Sequence, residues 1–294
     1  MKSCAGDASA PIVSVIVAAY NAEQWIGAQL EALARQRWDK PWEVIVSDNG
    51  STDSTLSVVA EYRDRLPIHV VDSSDMRGPS HARNVAARAA RAGCLAFCDA
   101  DDEVADGWLA AVGSALEHHQ LVVCRYDGHK LNPAWLQSTR SLGYSLHNLP
   151  FPPFHAIGGA GGMAVHAALH EQLGGFDESL PVLQDNDYCI RAQLQGVELH
   201  YLADAVVHYR FRRTVVQIFR QGRAYSRARA GLQKRYASRD WHSSAWRWPL
   251  RGWRPILKSL PGIASRSGRA RLAWMCGWQL GRFEGSIRYR VLAL

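Results

Sequence analysis

The chain has 294 residues, 47% of them hydrophobic, which is enough for one large folded domain with an appendage and excludes a disordered protein. A formal net charge of +7 and a pI near 9.2 favour an anionic partner such as a nucleotide, a membrane surface or a nucleic acid. The six cysteines form no CxxC pair, so neither a zinc site nor a disulfide framework is indicated. No apolar run reaches the length of a membrane span, and the opening MKSCAGDASA lacks a signal-peptide core. We therefore expect a cytoplasmic protein.

Strand and helix patterns alternate along the first part of the chain. Short β-branched or apolar runs predict strands, and apolar residues at helical spacing predict the helices between them. The strands are expected at 13–19, 42–46, 68–71, 94–98 and 121–124, and the helices at 22–37, 81–92 and 107–118. Strands that alternate with helices form parallel βαβ units with right-handed crossovers. The predicted fold class is therefore α/β, with a Rossmann-like, mostly parallel sheet flanked by helices.

A cluster of acids follows the fourth predicted strand. The segment CLAFCDADD is an apolar run that ends in Asp99, Asp101 and Asp102. Ligands of open α/β sheets bind beyond the carboxyl ends of the strands. Three carboxylates within four residues repel one another, and carboxylate oxygens are ligands that Mg²⁺ or Mn²⁺ takes together with substrate phosphates. The cluster therefore predicts a metal site, the alternative being that one aspartate caps the next helix.

The following hundred residues are less regular. Residues 127–154 read as a loop-rich insertion over the site. The segment IGGAGGMAVH returns to a strand pattern, and its glycines allow a ligand to approach the backbone, unless they form a flexible linker. Further on, LQDNDYCIR puts Asp185 and Asp187 at the start of a helix, where the helix dipole favours negative charge. Two strands are expected at 197–202 and 206–211, the second with His208.

Beyond Thr214 the chain becomes basic, with a tryptophan-rich stretch from Trp241 to Trp278. This composition is compatible with a helical extension in three settings. The helices can lie at a membrane surface, with tryptophan at the headgroup level and arginine on anionic lipid. They can stack on a nucleic acid. They can also simply pack on the preceding domain with an arginine-rich outer face.

Six motifs occur in a recognisable order: VSVIVAAYN, SDNGSTD, GPSHARN, FCDADD, GGFDESL and LQDNDYCIR. Together they resemble the family 2 glycosyltransferases and their GT-A fold over residues 11–212. The resemblance implies a donor half at 11–126, an acceptor half at 127–212, and the basic helical extension at 213–294 outside it. It further implies inverting transfer of a sugar from a UDP-, GDP- or dTDP-linked donor to an acceptor hydroxyl, assisted by Mg²⁺ or Mn²⁺. The acceptor would be a glycan or a lipid-linked saccharide. The extension lies outside the resemblance, and only in the membrane setting described above would it give peripheral contact with the inner face of the membrane.

For the nucleotide, the resemblance assigns four residues. Asp48 matches the aspartate that meets the nucleobase, and Ala19 and Tyr20 line the same pocket. Arg83 matches an arginine near the donor, where a planar guanidinium suits phosphate or ribose oxygens.

For the reaction, the resemblance assigns the DxD pair and a base. Asp99 would meet the ribose and also stand as a metal ligand, Ala100 would line the donor, and Asp101 would bind the metal that bridges the diphosphate. Asp185 matches the general base that takes the proton of the acceptor hydroxyl. His208 is a candidate third metal ligand or phosphate contact, although a lone histidine among apolar neighbours is more often structural.

The chain departs from the family pattern at two positions. Asn49 stands where a second acid is common, which is expected to alter the nucleotide contacts. Gln184 stands where glutamate is common, and its neutrality lowers the pKa of the neighbouring base relative to a paired acid.

Two other function classes stay open. A nucleotidyltransferase would need a glycine-rich basic loop after the first strand, and AAYNAEQW has no basic residue. A nucleotide-sugar-binding protein without transfer activity is disfavoured by the intact Asp99, Asp101 and Asp185.

Overall fold

The structure is a computed structural model that describes residues 10–139, 158–236 and 253–291. The chain divides into two compact units. The first comprises residues 1–131 and 142–210, and the second comprises residues 132–141 and 211–294. The stretch 140–157, which holds most of the predicted insertion over the site, lies outside the described residues.

The strands all belong to the first unit and most of the helices between them follow the predicted alternation. The strands are β1 (Val13–Ala19), β2 (Trp42–Asp48), β3 (Ile68–Asp72), β4 (Cys94–Asp99), β5 (Glu103–Val104), β6 (Leu121–Asp127), β7 (Gly162–His166) and β8 (His200–His208). The helices of both units are α1 (Ile26–Ala34), α2 (Thr55–Ala60), α3 (Pro79–Ala89), α4 (Trp108–Ala115), α5 (Ala134–Gln137), α6 (Ala167–Gln172), α7 (Gln184–Leu194), α8 (Val215–Tyr236), α9 (Arg254–Ser259) and α10 (Arg266–Tyr289).

The described strands form one mixed sheet in the order β3-β2-β1-β4-β7-β6-β8-β5. Strands β3, β2, β1 and β4 are parallel, β7 runs antiparallel to both β4 and β6, and β8 is parallel to β6. The α/β class is confirmed. The two strands expected at 197–202 and 206–211 are instead the single strand β8, because its pairing with β6 continues past an irregularity at Cys124 and Arg125.

The centre of the sheet is buried on both faces. Val15, Ile16 and Val17 of β1 are all inaccessible to solvent although their side chains point to alternate faces. On one face, Val15 and Val17 belong to a core that also contains Leu30 of α1 and Trp108 of α4. This packing fixes the carboxyl ends of β1, β2 and β4, from which the predicted site residues extend.

The second unit is helical. Helices α8 and α10 approach so closely that a Cβ on Gly277 would lie 2.2 Å from the carbonyl oxygen of Phe219, and one on Gly281 would lie 2.1 Å from that of Arg223. Since the residue numbers in these contacts increase together along α8 and α10, the two helices run parallel. A short 3₁₀ helix, Leu260–Ala264, joins α9 to α10. Within the described ranges, no helix combines the length and the apolar character needed to cross a bilayer.

Candidate active site

The ends of β1 and β2 form one edge of the candidate site. Ala19 and Asp48 are register partners, and the N–H of Asn49 donates to the carbonyl of Ala19 at 2.8 Å. Tyr20 follows directly and is 52% exposed. The guanidinium of Arg77 lies over its ring, 4.3 Å from the centroid. The predicted nucleobase residues Ala19, Tyr20 and Asp48 are thus neighbours at one strand end.

The polar groups at this edge are bonded within the protein. The buried carboxylate of Asp48 accepts from the N–H of Ser51 at 3.1 Å. The side-chain amide of Asn49 donates to the carbonyl of Met76 at 2.8 Å, and its oxygen accepts from the N–H of Gly78 at 2.8 Å. A carboxylate at position 49 could not donate the bond to Met76. The asparagine that stands here in place of an acid therefore anchors the loop before α3.

Arg83 links α3 to the end of β4. Its side chain is 4% exposed and forms an ion pair with Asp99. Within the described residues, Nε and Nη1 of this buried guanidinium have no hydrogen-bond partner. Since a buried cation with unpaired N–H groups is costly, this is the arrangement expected of a group that meets an anionic ligand.

Asp185 lies in the first turn of α7 and joins the same cluster. It is partly accessible, and its carboxylate accepts from the N–H of Asn186 at 2.9 Å and from that of Ala160. Burial of the carboxyl group raises its pKa, the positive charge of Arg83 opposes the rise, and the charge of Asp99 adds to it. The predicted base and the first aspartate of the DxD pair therefore act on each other at one site.

The turn after β4 carries the remaining acids. Asp102 is 1% exposed; its Oδ1 accepts from the N–H of Arg210 at 2.8 Å, whereas Oδ2 has no partner among the described residues. Burial and the charges of Asp99 and Asp101 raise the pKa of Asp102 well above its usual range. Arg210 also donates from Nε to the carbonyl of Asp101 at 2.8 Å. Asp102 is thus a buried support of the turn, and Asp101 is the more accessible carboxylate.

The donor set suits a hard divalent cation but is not a closed cage. Among the described residues, no three His, Cys, Asp or Glu side chains are arranged to hold a metal ion. Mg²⁺ commonly binds through one or two carboxylates together with substrate phosphates, which is what Asp101 with Asp99 can offer. His208, the candidate third ligand, has its Nδ1 2.7 Å from Oδ2 of Asp127 on the neighbouring strand. Its metal-binding role stays a prediction, as does the donor contact of Ala100, which is 6% exposed.

The glycines of the GGAGGM segment lie against side chains of the site. A Cβ on Gly161 would lie 2.5 Å from Oδ2 of Asp99, and one on Gly159 would lie 2.5 Å from the hydroxyl oxygen of Tyr126. Gly162 also faces Tyr126, with a would-be Cβ 3.1 Å from the hydroxyl oxygen. The glycines therefore make room for Asp99 and Tyr126, rather than for the ligand alone.

Tyr126 is a site residue that the sequence did not single out. Burial raises its pKa well above the usual range, and so do the negative charges of Asp99, Asp102 and Asp185. In the sequence, Tyr126 stands two residues after the strand predicted at 121–124. Such a position does not by itself distinguish a site residue from a core residue.

Two non-glycine residues with positive φ flank the site. Asn21, at φ 46°, follows Tyr20, and Leu183, at φ 61°, stands two residues before Asp185. Such backbone conformations cost energy and cluster at functional sites.

The family model of glycosyl transferase family 2 matches residues 14–172, which is more than half of the chain. The chain belongs to this family. The match covers β1 to α6 and thus includes Asp48, Arg83, Asp99 and Asp101, whereas Asp185 lies beyond it.

Curated relatives of this family 2 member are glycosyltransferases. The poly(ribitol-phosphate) beta-N-acetylglucosaminyltransferase TarS of Staphylococcus aureus is 37% identical over 108 residues, which is 36% of this chain and 19% of TarS. The validoxylamine A glucosyltransferase of Streptomyces hygroscopicus subsp. limoneus is 36% identical over 155 residues, which is 50% of this chain and 32% of that protein. The aligned stretches thus span a third or less of these relatives' lengths.

Solved structures share the fold. The mannosyltransferase PcManGT from Pyrobaculum calidifontis, in complex with GDP-Man and Mn²⁺, matches with a TM-score of 0.67 and 21% identity, over 94% of this chain and 87% of that one. S. aureus TarS 1-349 in complex with UDP matches with a TM-score of 0.54 and 20% identity, over 94% and 91%. The GT-A fold predicted for this family 2 member is confirmed.

Proposed function

We propose that this family 2 member transfers a sugar from a nucleotide diphosphate donor to the hydroxyl of a glycan or lipid-linked acceptor, with inversion at the anomeric carbon. The observation that carries this is the convergence of Asp185, Arg83 and Asp99, in which a carboxylate base meets a buried, incompletely bonded cation. The printed names of the relatives and the UDP and GDP-Man ligands of the similar structures support the same reaction class.

Four residues would hold the nucleotide. Asp48 would accept from the base, beside Ala19 and the exposed ring of Tyr20. Arg83 would donate its two unpaired N–H groups to phosphate or ribose oxygens, since a guanidinium binds such oxygens in pairs.

Asp101, together with Asp99, would hold Mg²⁺ or Mn²⁺ at the end of β4. When bound, the cation supplies positive charge to the departing diphosphate. Arg83 adds its own charge from α3, and Arg210 holds the turn through the carbonyl of Asp101.

Asp185 would accept the proton of the acceptor hydroxyl. A general base must reach the proton that it removes, and its basicity rises with its pKa. The carboxyl of Asp185 is partly accessible, burial raises its pKa, and backbone N–H groups fix its orientation.

The test is turnover of nucleotide sugars. The full chain is incubated with UDP-, GDP- and dTDP-linked sugars, Mn²⁺ and saccharide acceptors, and release of nucleoside diphosphate is measured with and without EDTA. Release that depends on acceptor, with NMR showing the opposite anomeric configuration in the product, supports the proposal. Release of pyrophosphate would instead identify a nucleotidyltransferase, and donor binding without turnover would identify a binding protein. Unchanged turnover in EDTA would contradict the metal requirement.

We further propose that the second unit contacts an anionic lipid surface. In residues 211–236 and 253–291, Glu284 is the single acidic residue, and it pairs with Arg223. Trp253, directly before α9, Leu257 on α9 and Ile263 on the 3₁₀ helix are 50–64% exposed. Exposed apolar side chains among basic residues suit the interface of an anionic bilayer.

Sedimentation with vesicles tests this contact. The full chain should bind phosphatidylglycerol vesicles and not phosphatidylcholine vesicles, and Leu257→Glu should weaken binding about tenfold or more. Leu56→Glu, at an exposed position of the first unit, is the matched control. Equal binding by Leu257→Glu and the control would contradict the proposal, as would salt-sensitive retention on DNA without vesicle binding.

A further inference from the structure

Tyr126 occupies a place that the neighbouring backbone keeps open. It is the second-last residue of β6, and its ring lies against Gly159 and Gly162, where any Cβ would lie within about 3 Å of the hydroxyl oxygen. Side chains at these two positions would therefore displace the hydroxyl. The ring of Tyr209 packs edge-on against the ring of Tyr126, with 5.6 Å between the ring centroids.

The hydroxyl of Tyr126 and the carboxylate of Asp99 lie against the same glycine segment, since a Cβ on Gly161 would lie 2.5 Å from Oδ2 of Asp99 and one on Gly159 would lie 2.5 Å from the hydroxyl oxygen. The carboxylates of Asp99, Asp102 and Asp185 all act on it electrostatically, and the side chain keeps part of its surface accessible. A phenolic hydroxyl is protonated at neutral pH and both donates and accepts hydrogen bonds. Tyr126 is thus a neutral donor among anionic acceptors.

In the proposed reaction, the transferred sugar lies between two groups. Its anomeric carbon is bonded to the diphosphate near Asp99 and Asp101, and the oxygen that attacks it is deprotonated by Asp185. A side chain that neighbours both Asp99 and Asp185 therefore neighbours the sugar. The nucleobase is expected elsewhere, near Asp48 at the end of β2.

We infer that the hydroxyl of Tyr126 donates a hydrogen bond to an oxygen of the transferred sugar and so determines which nucleotide sugars are accepted. This inference rests on the proposed function. Phenylalanine would fill the same space beside Gly159 and Gly162, so Tyr126→Phe tests the hydroxyl while keeping the ring in place.

Tyr126→Phe separates the sugar contact from the nucleotide contact. By calorimetry with Mn²⁺, the variant should bind the preferred nucleotide sugar about 3- to 10-fold more weakly than the wild type, which is the range for one hydrogen bond. Its affinity for the matching nucleoside diphosphate, which lacks the sugar, should be unchanged. Tyr209→Phe, which removes a hydroxyl from the ring that packs edge-on against Tyr126, is the control and should change neither affinity.

Specificity gives a second readout. Across nucleotide sugars that differ in the configuration of one hydroxyl, the wild-type ratios of kcat/KM should collapse toward one in Tyr126→Phe, because the hydroxyl that distinguishes them has lost its partner. Gly159→Ala, which pushes the hydroxyl aside while leaving it in the chain, should reproduce the change in ratios.

Retention of the wild-type sugar preference by Tyr126→Phe would overturn the inference, as would equal weakening of nucleotide sugar and nucleoside diphosphate. These results differ from a failure of the proposed function, in which the wild-type chain itself binds no nucleotide sugar of the panel.

Discussion

The two ends of the candidate site differ in how their buried polar atoms are satisfied. At the proposed nucleotide end, where β1 and β2 end, Asp48 and Asn49 are hydrogen-bonded to backbone groups of the adjoining loops. At the proposed reaction end, around the end of β4 and the start of α7, the described structure leaves Nε and Nη1 of Arg83, Oδ2 of Asp102 and Oε1 of Gln184 buried without partners. Native proteins rarely tolerate such atoms, because each has lost water without gaining a bond.

This contrast teaches where the ligand contributes most. The hydrogen bonds of the proposed nucleotide end are made within the protein, so they hold the loops whether or not a donor is bound. The proposed reaction end has buried polar atoms that could bond to a diphosphate, a cation and a sugar. Substitutions at the reaction end should therefore change catalysis and binding, while those at the nucleotide end should first change stability.

The largest effect is expected at Asp185, the proposed base. Asp185→Asn removes the proposed proton acceptor while keeping a similar shape, so transfer should fall at least a hundredfold, the scale of general-base catalysis. Donor affinity, measured by calorimetry, should stay within about threefold, since Asp185 is proposed to meet the acceptor and not the nucleotide.

The control for this substitution is Asp204→Asn, at an exposed position of β8. It should leave turnover unchanged. Wild-type turnover in Asp185→Asn would remove this residue as the base.

Arg83→Lys is expected to have the next largest effect. Lysine keeps the charge but loses the planar fork, so it cannot offer paired N–H groups to a phosphate while it contacts Asp99. Affinity for the nucleoside diphosphate should fall about 10- to 100-fold, the scale of one or two charge-assisted hydrogen bonds. Arg88→Lys, at an exposed position of the same helix, should bind normally. Equal affinity in both variants would show that Arg83 does not meet the nucleotide.

Asn49→Asp tests the nucleotide end. A carboxylate would face the carbonyls of Ser73 and Met76 to which the amide now donates, leaving them unpaired. The free energy of unfolding in urea should fall by about 1–3 kcal/mol. Asn21→Asp is the matched control, because Asn21 accepts from the N–H of Thr52 and a carboxylate can do the same. Equal stability of the two variants would contradict the scaffold role of Asn49.

The smallest effect concerns His81, on the helix that carries Arg83. Burial opposes its protonation, but its contacts with Glu178 at 2.9 Å and Asp75 at 2.8 Å outweigh burial and raise its pKa above the ordinary 6.5. Because the pKa of His81 is raised in the folded state, its protonated ring stabilises the protein fully below about pH 6.5. This contribution is lost as the pH rises through the pKa of the folded state.

Urea unfolding at pH 6 and pH 9 measures this contribution. The wild type should lose more stability between the two values than His81→Gln, which has no charge to lose. The same dependence of stability on pH in both proteins would show that protonated His81 does not stabilise the contact between α3 and Glu178.

Much of the fold followed from local pattern. Apolar runs gave β1, β2 and β4 because strands buried on both faces need no polar alternation, and the acids after β4 marked a strand end. Boundaries were less accurate. The strand β8 was predicted as two pieces, since the sequence does not reveal that pairing with β6 resumes past an irregularity.

By itself, the sequence determined the parallel βαβ core and the candidate residues Asp48, Arg83, Asp99, Asp101 and Asp185, because each stands in a short motif at an element end. Only the tertiary structure decided which of them interact, since Asp185 lies far along the chain from Arg83 and Asp99 and meets them through the order of the strands. It also decided that Asn49 is an anchor and that Tyr126 belongs to the site. Hydrogen bonds and close approaches between distant segments leave no periodic trace in a sequence.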